Sequence, residues 1–153
     1  MQFVQLTSQS AGLAALFNEI DTLMNSLYPA EANDLVPIDE VDNPNTYLIG
    51  HYHEEELVAC GSYIVKQDQS KYAELKRIYV KPSQRGKGLA KAIVQHLLTQ
   101  AKIQGLKQVK LETGDQQHAA IKLYEALGFE FCDAFGQYRQ EPSSVFMQLP
   151  LKQ

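Results

Sequence analysis

The chain is short of several things, and each shortage removes a class of function. It has only two cysteines, Cys60 and Cys132, each alone inside an apolar, strand-like segment. Neither belongs to a metal-ligand spacing, and no CxxC or HExxH pattern occurs, so no metal site is expected. A disulfide between them and two buried, reduced thiols both fit the sequence; the isolated apolar settings favour reduced thiols in a cytoplasmic protein. No apolar run approaches the roughly 20 residues that span a bilayer, so no membrane partner is expected. Met1-Gln2-Phe3-Val4-Gln5 offers neither a basic nor an apolar leader region, which again fits a cytoplasmic location. Surplus positive charge is also missing: at a net charge of -4 the chain lacks the basic face that nucleic-acid binding uses.

What is present is the composition of an ordinary globular protein, 44% hydrophobic and 21% charged, on a chain long enough to bury one good core. A first strand is expected at Phe3 to Leu6. Ser10 can cap a helix in which Leu13, Leu16, Phe17, Ile20, Met24 and Leu27 share one buried face. Pro29, Pro37 and Pro44, with Glu31, Asp34, Asp39, Glu40 and Asp42, make the next segment a long acidic loop with room for a helical turn. Three strand-like runs follow, Tyr47 to Tyr52, Leu57 to Val65 and Tyr72 to Val80, separated by polar turns as in an antiparallel meander. A helix over Leu89 to Ile103 ends at Gly105. Then come a strand at Val109 to Thr113, a helix at Ala119 to Leu127 and strands at Phe129 to Cys132 and Val145 to Leu149. The strand after the helix crossover can lie parallel to the strand before it. These elements predict one α+β domain over residues 1–153.

The most informative segment is Gln84-Arg85-Gly86-Lys87-Gly88-Leu89-Ala90, between a strand-like run and an amphipathic one. A strand that turns through glycines into a helix leaves backbone N–H groups unpaired at the positive end of the helix dipole. That is a site for an anion, most often a phosphate. The P-loop pattern GxxxxGK[ST] is absent. The dinucleotide fingerprint GxGxxG fails because Lys91 stands where its third glycine belongs, and because the turn follows a meander.

Arg85-Gly86-Lys87-Gly88-Leu89-Ala90 resembles the [QR]-x-x-G-x-[GA] motif of the GNAT superfamily of N-acetyltransferases. Tyr79-Val80-x-Pro82 stands just upstream, as in many members. Ala120-Ile121-Lys122-Leu123-Tyr124-Glu125-x-x-Gly128-Phe129 is similar to the family's second signature. The likeness covers nearly the whole chain, most specifically Glu74 to Phe129, and is greatest to small bacterial members, with a Leu-Glu-Thr-Gly strand end and a Phe-Gly-x-Tyr loop.

The resemblance implies a mixed, mostly antiparallel sheet of six to seven strands flanked by about four helices. It also implies acetyl-coenzyme A as acetyl donor. Backbone N–H groups of Arg85, Gly86, Lys87, Gly88, Leu89 and Ala90 would face the pyrophosphate. Ile78, Tyr79 and Val80 would offer main-chain groups to the pantetheine arm. The side chains of Arg85 and Lys87 are open between phosphate contact and solvated charge. Gln117 stands where many members carry an asparagine, with a similar amide on a longer arm.

Attack on a thioester needs a neutral amine, and a lysine-like amine is only about one part in a few thousand neutral at pH 7. A carboxylate near the attack line helps, and Glu74 stands where many members carry a base. An N–H of Ile78 or Tyr79 can polarise the thioester carbonyl. Tyr124 matches the tyrosine that reaches the leaving sulfur in the family. Cys60 and Cys132 have no histidine or glycine-rich neighbour to lower their pKa, so an acyl-cysteine route is disfavoured. On the acceptor side the acidic loop would draw a cationic amine. Arg77 could clamp an acceptor carboxylate, and Tyr47, Tyr79, Phe135 and Tyr138 could line the pocket.

The expected activity is therefore acetyl transfer from acetyl-CoA to a small or amino-acid-like primary amine by direct attack in a ternary complex. A protein lysine or N-terminal acetyltransferase and a non-catalytic acyl-CoA sensor are the alternatives. Family members often dimerise, which leaves a homodimer open.

Overall fold

The alternating apolar pattern in the middle of the chain folds as a meander and then crosses over. The computed structural model describes residues 1–29 and 36–152. In chain order they form β1 (Val4–Gln5), α1 (Leu13–Leu27), β2 (Thr46–His53), β3 (Glu56–Gln67), β4 (Lys71–Val80), α2 (Leu89–Ile103), β5 (Gln108–Gly114), α3 (His118–Ala126), β6 (Glu130–Cys132) and β7 (Ser144–Pro150). One seven-stranded sheet results, in the order β1-β2-β3-β4-β5-β7-β6. Every pairing is antiparallel except β4 with β5, which α2 connects.

The parallel pair is short. Only Ala73 with Val109, Glu74 with Lys110 and Leu75 with Leu111 face each other across it. β4 stays with β3 as far as Val80, and β5 stays with β7 as far as Gly114. The two halves of the sheet therefore part after Leu75 and Leu111. A bulge in β4 accompanies the parting: the register shifts between Cys60 and Ser62, and Arg77 sits at a φ of 60°. An extra residue on one strand bends it and raises its local twist.

Each face of the sheet has its own apolar layer. On one, Leu13, Leu16, Phe17 and Ile20 of α1 pack on Leu48, Leu57 and Cys60. On the other, Ile93, Val94 and Leu97 of α2 and Tyr124 of α3 pack on Ala59, Leu75, Val109 and Leu111. Burying side chains of this size contributes about 1.5–3 kcal/mol each. A smaller cluster of Tyr72, Phe135 and Phe146 lies under the loop that joins β6 to β7.

Some expectations change. The structure has three α-helices among the described residues, one fewer than expected. Between Pro29 and Pro44 the described residues hold only a 3-10 turn, Ile38–Asp42. Glu31 and Asp34 of the acidic loop lie outside the described residues. Ser10 does not cap α1: its hydroxyl accepts from the Thr7 N–H, and Gly12, at a φ of 81°, precedes the helix. Cys60 is buried, but Cys132, on the short edge strand β6, is only partly so.

Close packing on the α2 face gives a test. A Cβ added at Gly61 would lie 2.4 Å from Ile93 Cγ2 and 2.9 Å from Ile78 Cδ1. Gly61→Val should therefore destabilise the fold by about 1–3 kcal/mol, the usual cost of overpacking, read as a lower urea midpoint at unchanged slope. An unaltered midpoint would contradict this packing.

Candidate active site

Where β4 and β5 part, a cleft of about 660 Å³ runs through the sheet. Leu89, Ala90, Leu123 and Tyr124 line it on the α2 and α3 face, and Ile20, Met24, Leu27 and Tyr28 on the α1 face. Its walls are β4 from Leu75 to Val80 and β5 from Leu111 to Gly114. Met24 packs against the α1-face core as expected and also borders this cleft, whereas Leu27, expected on the same buried face, borders it while exposed. The volume suits a small-molecule or cofactor site.

At one end lies the glycine turn. Gly86 and Gly88 take φ values of 81° and 80°, a left-handed conformation that glycine adopts at little cost. A Cβ at either would meet nothing within 4 Å. α2 begins at Leu89 with no side-chain cap and no acidic residue in its first turn. Its first N–H groups thus lack both helical and capping partners, which is the arrangement that receives an anion. Arg85 and Lys91 border the cleft here. Arg85 folds back, its Nε donating to the Val80 carbonyl at 2.9 Å. Lys87 is not in the lining; its ammonium donates to Gln84 Oε1 at 2.8 Å.

Ile78, Tyr79 and Val80 line the wall on a strand edge that β5 no longer covers. Gln117, just before α3, borders the cleft, and its amide points at Met24 Sδ, 3.6 Å away. Tyr124 also lines the cleft, 5% exposed and edge-on to Phe129. Burial holds its phenol well above the usual tyrosine range, so it keeps its proton near pH 7. Burial pushes the Cys60 thiol up to about 12, against the Arg77 charge that favours thiolate. Neither cysteine lines the cleft.

The α1 face is richly charged. Arg77, its side chain 4% exposed, pairs with Asp21, donates to the Val36 carbonyl and stacks over Phe17. Its Nε is buried without a hydrogen-bond partner among the described residues. The Tyr79 hydroxyl donates to Glu19 at 2.6 Å; burial first and this hydrogen bond second push its pKa up to about 12. Tyr28 seats against Gly114, and its hydroxyl accepts from the Gln116 N–H at 3.0 Å. Burial raises its pKa above the opposing effect of that bond, with Asp115 and Glu112 adding to the rise.

Glu74 is placed differently from what its motif position suggests. It is 2% exposed and does not line the cleft. Lys76 lies 3.2 Å and Lys66 3.8 Å from its carboxylate, and the Tyr138 hydroxyl donates to it. A buried carboxylate needs such partners, because desolvation alone costs several kcal/mol. Of this group only Lys76 borders the cleft. Tyr138 packs on Phe135 and Phe146 and stays off the cleft, as does Phe135. Tyr47 is a clear correction: strand alternation turns it to the α2 face, where its hydroxyl meets His96 at 3.0 Å, away from the cleft. Of the described acidic-loop residues, Asp42 accepts from the Ser8 N–H and hydroxyl, Asp39 and Glu40 are exposed, and none lines the cleft.

Tyr28, Lys76, Lys91, Glu112 and Ser144 also line the cleft, and none of them is marked as a site residue by the motifs. The alternation of β5, apolar at Val109 and Leu111, already turns Lys110 and Glu112 to the opposite face. Lys76 needed the cleft itself.

Comparison with known proteins gives the family and the fold. Residues 13–129 match the Acetyltransferase (GNAT) family. An IAA acetyltransferase of Azospirillum brasilense is 32% identical over 136 residues, covering 89% of this chain and 88% of that protein. A provisionally assigned acyl-CoA N-acyltransferase from Klebsiella pneumoniae superposes with a TM-score of 0.81 at 28% identity, over 99% of this chain and 97% of that one. The Salmonella typhimurium yncA structure, solved with its cofactor acetyl-CoA, shares the fold with a TM-score of 0.75 at 21% identity, over 100% of this chain and 95% of that one.

The contact between Tyr28 and Gly114 is testable. A Cβ on Gly114 would fall 1.8 Å from the Tyr28 hydroxyl oxygen. Gly114→Ala should expel the ring and lower stability by about 1–3 kcal/mol. In a Tyr28→Ala background the same change should cost much less, a coupling that thermal denaturation of the double-mutant cycle measures.

Proposed function

The chain belongs to the GNAT family of acetyltransferases, and from that premise we propose that it moves an acetyl group from acetyl-CoA to a primary amine seated on the α1 face. The observation that carries this reading is the cleft through the sheet, with an uncapped helix start at one end and a charged chamber at the other. The residues present fit acetyl-CoA. N–H groups from Gly86 to Ala90, with Arg85 and Lys91, suit a pyrophosphate. The open edge of β4 from Ile78 to Val80 suits an extended pantetheine arm, and Gln117 can hydrogen-bond to it. The Salmonella protein of the same fold, solved with acetyl-CoA, supports that choice of donor. When bound, acetyl-CoA supplies an activated thioester carbonyl.

The chain's own residues then divide the work. A backbone N–H of Ile78 or Tyr79 faces the developing oxyanion; such donors are worth about 2.7–4 kcal/mol where measured. The Tyr124 hydroxyl, neutral in its buried setting, gives its proton to the leaving sulfur. The absence of cysteine from the cleft lining supports direct attack by the amine in a ternary complex. Glu74 holds Lys76 and Tyr138 in place and does not itself take the amine's proton, because its carboxylate is enclosed by two lysines and a tyrosine.

Acetyl-CoA at 100 times its Kd should stabilise the protein by about 2.7 kcal/mol. Gly88→Val should abolish that shift while itself costing about 1–2 kcal/mol, since a side chain at this φ is strained and a bulky residue in the turn would hinder close approach of an anion to the backbone. Stabilisation by ATP or NAD in place of acetyl-CoA would refute the reading. Tyr124→Phe should lower kcat by about a hundredfold or more with the acetyl-CoA affinity nearly unchanged; wild-type turnover in this variant would remove Tyr124 from the reaction.

A further inference from the structure

The chamber on the α1 face has a charge pattern that a plain amine would not use. On the β4 side stand Lys76 and Arg77, and on the β5 side stands Glu112. The strand pleat fixes this opposition. Lys110 lies over the rings of Tyr72 and Phe135, and Gly114 lies beneath Tyr28. Glu112, midway between them in β5, therefore faces the same side of the sheet. It also lies near enough to Tyr28 for its charge to act on that phenol. Across the gap, Lys76 is anchored on Glu74 and Tyr138. Arg77 carries a buried Nε–H with no partner among the described residues, although its two terminal nitrogens are used. Ser143 and Ser144, at the start of β7, complete this part of the wall.

We propose that the acceptor is a free α-amino acid, held as a zwitterion across the gap, with its carboxylate on Lys76 and Arg77 of β4 and its ammonium on Glu112 of β5. This rests on the acetyltransferase reading above and specifies its acceptor. Opposite charges on opposite strands fix the substrate's orientation as well as its binding, and point the nitrogen at the parting of the strands. Glu112 then has a chemical part. The ammonium gives one proton to its carboxylate. The freed nitrogen forms the amide bond to the acetyl carbon as the carbon–sulfur bond breaks. A second nitrogen proton replaces the one that Tyr124 gives to the sulfur. The products are the N-acetyl amino acid and the thiol form of coenzyme A, and Glu112 passes its proton to solvent. A cationic polyamine, by contrast, would bring positive charge against Lys76 and Arg77.

The test combines thiol release with calorimetric binding of acetyl-CoA and of acceptor. Its panel contains free amino acids, their carboxamides, and amines without a carboxylate. Amino acids should be the substrates, with kcat/KM falling about ten- to a hundredfold on conversion to the carboxamide, the range expected for a charged hydrogen bond. Lys76→Met should raise KM for the amino acid and bring the ratio of acid to amide near one, and Lys76→Arg should restore most of it. Glu112→Gln should lower kcat with acetyl-CoA binding intact. Equal use of acids and amides, a preference for amines without a carboxylate, or no turnover of the panel with acetyl-CoA bound would overturn the assignment. Thiol release on carboxylate-free amines would leave the acetyltransferase reading standing, whereas failure of the wild-type protein to bind acetyl-CoA would sink both.

Discussion

The structure depends on how briefly β4 and β5 stay together. Three residue pairs hold them, and then each strand follows its other neighbour. Two strands that remain paired leave no room between them, and two that never pair leave a hole rather than a shaped cleft. The bulge opposite Gly61 bends β4 where the parting begins, and places Arg77 in a left-handed conformation that a non-glycine residue takes only under constraint. That constraint is visible: Arg77 is held by Asp21, the Val36 carbonyl and the Phe17 ring, and its carbonyl accepts from the Cys60 thiol. Strain in the backbone is thus offset by contacts to α1 and β3, and the cleft is part of the resting fold.

The two ends of the cleft use different physics. At the glycine turn the proposed attraction for an anion is built from backbone N–H groups, which carry partial charge without side-chain entropy and without desolvating an ion. At the α1 face it is built from full charges, which must be kept in place when they are buried. Glu74 illustrates the cost. Hidden from solvent, its carboxylate is surrounded by Lys66, Lys76 and Tyr138, the partners a buried carboxylate needs. The same contacts that make it tolerable also occupy it. Its worth lies in presenting Lys76, a long and otherwise flexible side chain, in one position on the wall.

Much of this was legible in the sequence, and the residues show why. α2 spans Leu89–Ile103 as its periodicity predicts, because five buried positions at helical spacing and a glycine start leave little choice. The parallel placement of β5 beside β4 follows from the helix between them. The meander strands differ from expectation only at their ends. Where the structure departs from the sequence pattern, a side chain is claimed by a partner that its own residue type does not reveal. Ser10 has the right chemistry for a cap, but Thr7 takes its hydroxyl first. Tyr47 has a plausible type for a pocket, but the pleat of β2 turns it toward His96.

The sequence by itself determined the glycine turn between strand and helix, whose N–H groups are oriented by a handful of consecutive residues. It determined the family for the same reason, since those residues and the Tyr124 signature are contiguous runs. The chamber on the α1 face was decided only by tertiary structure. Tyr28, Lys76 and Glu112 come from α1, β4 and β5, and face one chamber because of a bulge, a pleat and a parting that no one segment encodes. Glu74 and Lys76 are two residues apart and share a face, yet only the second reaches the cleft. Burial and the capture of a charge by its neighbours are properties of the packed molecule, and they keep the residue the motif marks out of the cleft lining.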